Sequence, residues 1–374
     1  MAKAVYVGVG SKAHKMKKAY IGIGGKARKV KKMYIGVGGK ARLCYSAELE
    51  KVGMATALST ARYDMRAATV GKYALFAGGL APNPFFGSDV SSSVDAYNTS
   101  LTKSTPTELS YKRCGHAAAS VGGYALFAGG ASSYNLLGIY ENLVSAVDAY
   151  DASLTRSAAH IIGATVAIGG AAVGNYALFA GGTVYSQINK DNVTSDVLAY
   201  DPSLTFTTAP LLSVARANVK GASAGNYALF AGGRAGSFCT TVDAYNASLT
   251  RTTATALSST KNNSAAATVG NHAIFVGNTA SADIYDASLT KTSAAILSTA
   301  RMGLAATTVG DYAIFSGGGV ADFCDASLTR SSIGTSMTGY YMGAATIGDY
   351  ALFAGGHSGE KSDTAYDSVE VYTA

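Results

Sequence analysis

Residues Gly225 to Gly233 read Gly-Asn-Tyr-Ala-Leu-Phe-Ala-Gly-Gly, and the chain repeats this stretch with small changes. Copies begin at Gly71, Gly122, Gly174, Gly225, Gly270, Gly310 and Gly348. Five contain Tyr-Ala-Leu-Phe-Ala-Gly-Gly outright, while His272-Ala-Ile-Phe-Val-Gly-Asn278 and Tyr312-Ala-Ile-Phe-Ser-Gly-Gly318 diverge. Successive starts lie 51, 52, 51, 45, 40 and 38 residues apart. A period of this size marks an array of supersecondary units, each needing its neighbours to cover its apolar faces.

Every copy sits in the same frame. An Ala-rich segment such as Ala67-Ala-Thr-Val-Gly71 precedes the apolar run and its Gly pair. A variable loop follows, then Val-Asp-Ala-Tyr (Val94 to Tyr97, Val242 to Tyr245), a Ser-Leu-Thr-Lys/Arg turn and a Ser/Thr-rich stretch ending near Leu-Ser. These runs are short, rich in β-formers and divided by turn residues, so each unit predicts four short strands. Small residues in the first strand suit a crowded inner wall, and the Gly pair suits a close approach that a side chain would block.

The pattern resembles the Kelch repeat, with a Gly pair after the second strand and an aromatic residue near the third. The resemblance covers residues 46 to 374 and implies an all-β, seven-bladed Kelch-like β-propeller. It departs in one respect: Kelch repeats carry a late Trp, this chain has none, and Leu249-Thr250-Arg251 and its equivalents stand near that place. Only Ser368 to Thr373 is strand-like after the last Gly pair, so the seventh unit is one strand short. Residues Tyr45 to Ser59 align with Tyr245 to Ser258, and residues 47 to 59 are expected to supply the outer strand of the last blade.

Charge divides the chain into two domains. The net charge is +7, yet residues 1 to 45 hold 12 Lys or Arg and no acid, while 46 to 374 hold 18 basic and 23 acidic residues. The basic arm has its own 14-residue repeat: Tyr6-Val-Gly-Val-Gly10, Tyr20-Ile-Gly-Ile-Gly24 and Tyr34-Ile-Gly-Val-Gly38, followed by Lys-Ala-x turns that include Lys26, Arg28, Lys40 and Arg42. Period-two alternation predicts strands. Three such units bury too little to stand alone, so the arm is expected to attach to a larger assembly or to copies of itself. The arm's Tyr spacing follows strand periodicity and no nucleic-acid module is present, which argues against a nucleic-acid partner. These repeats are similar to ones at the N-termini of tail or appendage proteins of phages and prophages of Gram-positive bacteria.

Chemistry is sparse. There is no nucleophile elbow, no phosphate-cradling Gly-Lys-Ser/Thr loop and no metal motif, so no cofactor, no metal and no enzymatic activity are expected. No run is long enough to cross a membrane, and the start lacks the apolar core of a secretory signal, so no membrane insertion is expected. Cys44, Cys114, Cys239 and Cys324 lie far apart and read as free thiols.

The units differ mainly in the loops between strands two and three. These share one face with the loops leading into each next unit; the opposite face repeats Gly-Asn/Asp-Tyr and Asn/Asp-Ala-Ser-Leu-Thr. Long aromatic or apolar loops in units one, two, three and seven form an arc, with Phe85, Phe86, Tyr134, Tyr140, Tyr185 and His357 as candidate ligand-binding residues. Nine residues before five of the seven starts stands a cation: Arg62, Arg113, Arg216, Lys261 and Arg301, with Thr165 and Gly339 breaking the series. Such a basic ring either attracts an anion or binds loop carbonyls between blades. The expected function is a non-enzymatic virion appendage of tail-fibre or tail-tip kind. Its arm would attach to virion or tail structural proteins, as a homo-oligomer in assembly, and its propeller would recognise a host-surface glycan or protein. The alternatives are a cell-encoded Kelch-type scaffold or adhesin and, third, a carbohydrate-active enzyme.

Overall fold

The computed structural model describes residues 6–9, 12–15, 19–23, 26–30, 32–37, 40–46, 48–83, 87–135, 139–160, 162–184, 192–261, 265–359 and 364–374. Its strands form seven four-stranded antiparallel sheets arranged as the blades of a β-propeller. Blade four is representative: Lys220–Ala224, Tyr227–Ala231, Val242–Asn246 and Arg251–Ala254 pair in chain order from the axis outward. The Tyr-Ala-Leu-Phe-Ala run is the second strand of its blade, buried on both faces, which explains why it is continuously apolar. Seven apolar clusters fill the seven spaces between neighbouring blades. In six blades a Phe of strand two meets a Tyr of strand three edge-on, as Phe230 meets Tyr245 at 5.9 Å.

The Gly pair is required by its neighbour. Gly181 has φ +67°, and a Cβ there would stand 2.3 Å from the Arg216 carbonyl oxygen of the next blade. That carbonyl accepts a hydrogen bond from the Gly182 N–H at 3.0 Å, so the two glycines fasten blade three to blade four. The inner strands are stitched in a different way. Ser120 Oγ donates to the Thr69 carbonyl at 2.7 Å, Thr69 Oγ1 to the Thr346 carbonyl at 2.8 Å, and Thr268 Oγ1 to the Ser223 carbonyl at 3.0 Å. Thr346 and Thr308 donate likewise to Thr308 and Thr268. Hydroxyls thus bridge inner strands that diverge too much to form a continuous ladder.

The repeated outer turn also has a local cause. Asp151 Oδ1 accepts from the N–H groups of Ser153 and Thr155, both at 2.9 Å, and Leu154 takes φ +65°. Leu101, Leu204, Leu249, Leu289 and Leu328 repeat this left-handed state. It is costly for a residue with a Cβ. The leucine side chains offset it by packing against the inter-blade clusters. Leu249 and its equivalents therefore lock the turn near where a Kelch Trp would stand.

Blade seven takes its outer strand from the front of the propeller. Glu50–Ala55 pairs antiparallel with Val369–Thr373, with a register irregularity between Val371 and Tyr372. Lys51 Nζ reaches buried Glu370 at 2.5 Å. Ahead of it, Tyr6–Val9 pairs with Lys12–Lys15, Tyr20–Ile23 with Lys26–Lys29, and Lys32–Val37 with Lys40–Ser46. The Lys-Ala-x segments, expected as turns, belong to the second strand of each pair.

Candidate functional site

The five cations of the basic ring are not free. Arg62 pairs with Asp95 at 2.8 Å, Arg113 with Asp148 at 2.5 Å, Arg216 with Asp243 at 2.9 Å, Lys261 with Asp283 at 3.3 Å and Arg301 with Asp322 at 2.6 Å. All ten side chains are buried or nearly so. Burial pulls the Arg62 and Arg113 guanidinium groups below their ordinary value, against the opposing pull of Asp95 and Asp148. The acid is the Asp of the third strand, in Val-Asp-Ala-Tyr for Asp95, Asp148 and Asp243 and in its variants Ala-Asp-Ile-Tyr and Ala-Asp-Phe-Cys for Asp283 and Asp322, a partner the sequence reading did not assign. A second cation from strand four and a Ser of the Leu-Ser segment complete each cluster: Asp148 also takes Arg156 at 2.8 Å and the Ser110 N–H at 3.0 Å. For Asp322, burial would raise the carboxyl, but the Ser298 N–H, Ser332 and Arg301 hold it below the usual range. Each cation of the ring thus has a buried acid partner, and Arg301 also lines the cleft described below.

Blade three replaces the whole cluster. Thr165 stands for the Arg, Leu198 for the Asp, Phe206 for the outer cation and Gly163 for the Ser. His160 stacks on Phe206 with centroids 4.5 Å apart. In blade seven Gly339 leaves the Arg place empty, and the longer Glu370 is met instead by Lys51, Thr335 and Ser336.

The varied face carries a second tier of small hairpins. Leu80–Asn83 pairs with Gly87–Val90, Ala131–Tyr134 with Tyr140–Leu143, and Arg234–Ala235 with Ser237–Phe238. Bridges such as Tyr63↔Leu80 and Tyr340↔His357 tie these loops to the segments entering each blade. Tyr134 and Tyr140 were expected on open loops, without a packing role. They are instead cross-strand neighbours, centroids 5.3 Å apart, packed on buried Leu80, Val90 and Cys114. His357 is only 8% exposed, so it supports this face from beneath: Tyr63 lies against it at 4.4 Å and Tyr341 stacks on it at 5.3 Å. Phe85, Phe86 and Tyr185 lie outside the described residues. In the arm Tyr20 and Tyr34 are exposed; the side chains of Tyr6, Lys26, Arg28, Lys40 and Arg42 lie outside the described ones.

A cleft of about 540 Å³ opens where blades five, six and seven meet, lined by Asn278, Arg301, Met302, Tyr340, Tyr341 and Ser358 among others. Sequence reasoning missed it because its walls come from short loops far apart in the chain. Tyr341 joins the cleft to the channel mouth. It belongs to a ring of left-handed residues that enter the inner strands: Asp64, Gly115, Ala167, Asn218, Gly303 and Tyr341, with φ between 51° and 65°. Their N–H groups hand on around the mouth, Asp64 to the Tyr341 carbonyl at 2.8 Å, Ala167 to Gly115 at 2.8 Å and Asn218 to Ala167 at 2.7 Å. Among the described residues no three His, Cys, Asp or Glu side chains are placed to hold a metal ion.

His116 stands where other blades bury Met65, Ile168, Val219, Leu304 and Met342. Burial, with Arg66 and Arg113 nearby, drives its pKa well below the ordinary value; the Ala77 carbonyl opposes this only weakly, and neither ring nitrogen makes a geometrically sound hydrogen bond. The unfolded chain therefore takes up this proton first. Stability is full above about pH 6.5 and falls on acidification at up to about 1.4 kcal/mol per pH unit until the folded-state pKa is reached. Asp283, Asp322 and Glu370, all lowered, lose their contribution only below about pH 4. Urea titrations between pH 4.5 and 6.5 should thus show a slope that His116→Met flattens, leaving the smaller part due to His357, which burial also lowers. An unchanged slope would remove His116 as its source.

Compared with known proteins, the chain matches no family model and no curated protein sequence.

Proposed function

We propose that this chain is a non-enzymatic recognition protein: a Kelch-type propeller whose varied face binds a host-surface glycan or protein, carried on a phage or prophage tail appendage by its basic arm. The observation that carries this reading is the contrast between the two faces. On one face the turn sequence is dictated by its own hydrogen bonds and left-handed leucines, so it repeats. On the other, loops of different length and chemistry stand on a rigid ring, the usual place for binding residues. The buried acids of five blades are held by cations, which fits a scaffold better than acid–base chemistry. The arm supports the attachment role. It is basic and presents exposed Tyr20, Ile21, Tyr34 and Ile35, apolar surface that self-association or docking on virion proteins would cover.

Immunogold labelling of particles induced from the source strain tests this. Label at the tail is expected, together with binding of the purified chain to host cells. Label confined to the cell surface would favour the cell-encoded adhesin, and turnover of a surface glycan would favour the enzyme.

A further inference from the structure

We infer that the channel mouth on the varied face is a seat for the anionic group of an acidic glycan, with Lys220 and Arg66 as the charges that receive it. The inference rests on the recognition reading above and names the ligand class for it.

Five residues before each repeat start, at the first position of the inner strand, stand Arg66, Ala117, Gly169, Lys220, Ala265, Ala305 and Gly343. Five of the seven are Ala or Gly; blades one and four alone place a long cation there. Both side chains are partly exposed where the small residues are buried, so they rise from the strands into the mouth. They sense each other across it: Lys220 is pulled down to about 8 by burial first and Arg66 second, with Asp64 opposing.

The two cations differ in their partners. Arg66 Nη1 reaches Asp64 Oδ1 at 2.8 Å, and the other Asp64 oxygen accepts from the Gly115 N–H at 3.3 Å. The Lys220 ammonium makes no hydrogen bond or ion pair with the described residues, whereas the buried cations of five blades each have an acid. A half-buried ammonium without an acid is costly unless a counter-charge arrives from outside. Asp64 cannot serve fully, since Arg66 and Gly115 already occupy it.

The cleft decides between kinds of anion. The Asp64 N–H bonds the Tyr341 carbonyl, and Tyr341 lines the cleft beside Tyr340 and Met302. The Arg66–Asp64 side of the mouth and the aromatic wall are therefore contiguous, an arrangement that suits sugar rings bearing carboxylate or phosphate.

The test uses full-length protein and calorimetric titration with trigalacturonate, the neutral galactose trimer, a sugar phosphate, inorganic phosphate and a polyglutamate peptide. At least one acidic sugar is expected to bind at least about tenfold more tightly than the neutral trimer, and the stronger of the carboxylate and phosphate probes identifies the group. Lys220→Met is expected to weaken that binding about tenfold or more while leaving Tm equal or higher, since it removes an unpaired charge. Tyr340→Ala is expected to weaken the sugar probes and spare inorganic phosphate. Unchanged affinity in Lys220→Met, a lowered Tm, or no binding of any acidic sugar would overturn the seat. Polyglutamate binding that survives Tyr340→Ala would overturn the glycan assignment. Host-cell attachment that survives Lys220→Met while cleft changes abolish it would sink this inference and leave the recognition reading standing.

Discussion

Asp243→Leu alone is expected to destabilise the propeller by about 3–5 kcal/mol, because Arg216 would then be a buried cation without its acid. Both side chains are fully buried, and the guanidinium is otherwise held by the Gly232, Val214 and Phe230 carbonyls, which do not neutralise it. The chain contains its own remedy. Blade three has no such cluster: Thr165, Leu198 and Phe206, with His160 stacked on the last, take its place, and exposed Gly163 stands at the Ser position. Copying that solution into blade four as Ser213→Gly, Arg216→Thr, Asp243→Leu and Arg251→Phe should recover most of the loss and lie within about 1–2 kcal/mol of the parent, since replacing a whole buried ion pair with apolar residues is often neutral. Urea unfolding of the single and quadruple variants decides the matter. If the quadruple variant is as unstable as Asp243→Leu, the ion pair contributes more than the exchange in blade three implies.

That exchange also shows what the sequence made legible. The seven-bladed ring was readable because its determinants are local: a Gly pair, intact in six of the seven repeats and Gly277-Asn278 in the other, that lies close against the next blade, and an Asx turn locked by a left-handed Leu. The cation series was readable as positions, but not as pairs. Its partner sits about 20 to 35 residues further along, in a strand that reads as ordinary alternation. The signal was present within the chain, since the unit that lacks the Arg at Thr165 also lacks the Asp at Leu198. The cleft left no such trace. Tyr340, Met302 and Asn278 are remarkable only once three blades stand side by side. Tyr134 and Tyr140 read as open-loop residues because a hairpin on top of a blade carries the same polar and aromatic mixture as an open loop.

Seen energetically, the two faces answer to different constraints. The outer turn holds a Leu at positive φ in six blades, so its sequence can drift little before backbone strain and lost packing combine. The hairpins of the varied face join the blades through a bridge or two each, and the ring beneath is fastened by Gly–carbonyl and hydroxyl–carbonyl bonds that do not depend on them. Length and composition there can vary without loosening the ring.

Removing residues 1–60 is expected to be far more damaging than removing 1–44. The shorter deletion ends before Glu50–Ala55 and leaves the pairing of that strand with Val369–Thr373 intact, so a soluble propeller that melts like the parent is expected. The longer one strips the outer strand from blade seven and takes Lys51 from Glu370, a buried carboxylate that burial would raise were it not for Lys51, Thr335, Tyr372 and the Ser336 N–H. It also removes Leu58 from the cluster between blades seven and one, and Ser59, whose N–H bonds Asp95 at 3.1 Å beside the Arg62 pair. Strand, ion pair and core contact are thus lost together at the one junction where the ring is closed by chain from its other end. The exposed edge of Val369–Thr373 would in addition offer unpaired backbone groups to a second copy, so aggregation accompanies the loss. Thermal melts with light scattering on the two truncations give the answer: a Tm drop of about 10 °C or more together with aggregation for the longer deletion alone is the expected result, and equal melting of the two would mean that the ring does not depend on this strand for its closure.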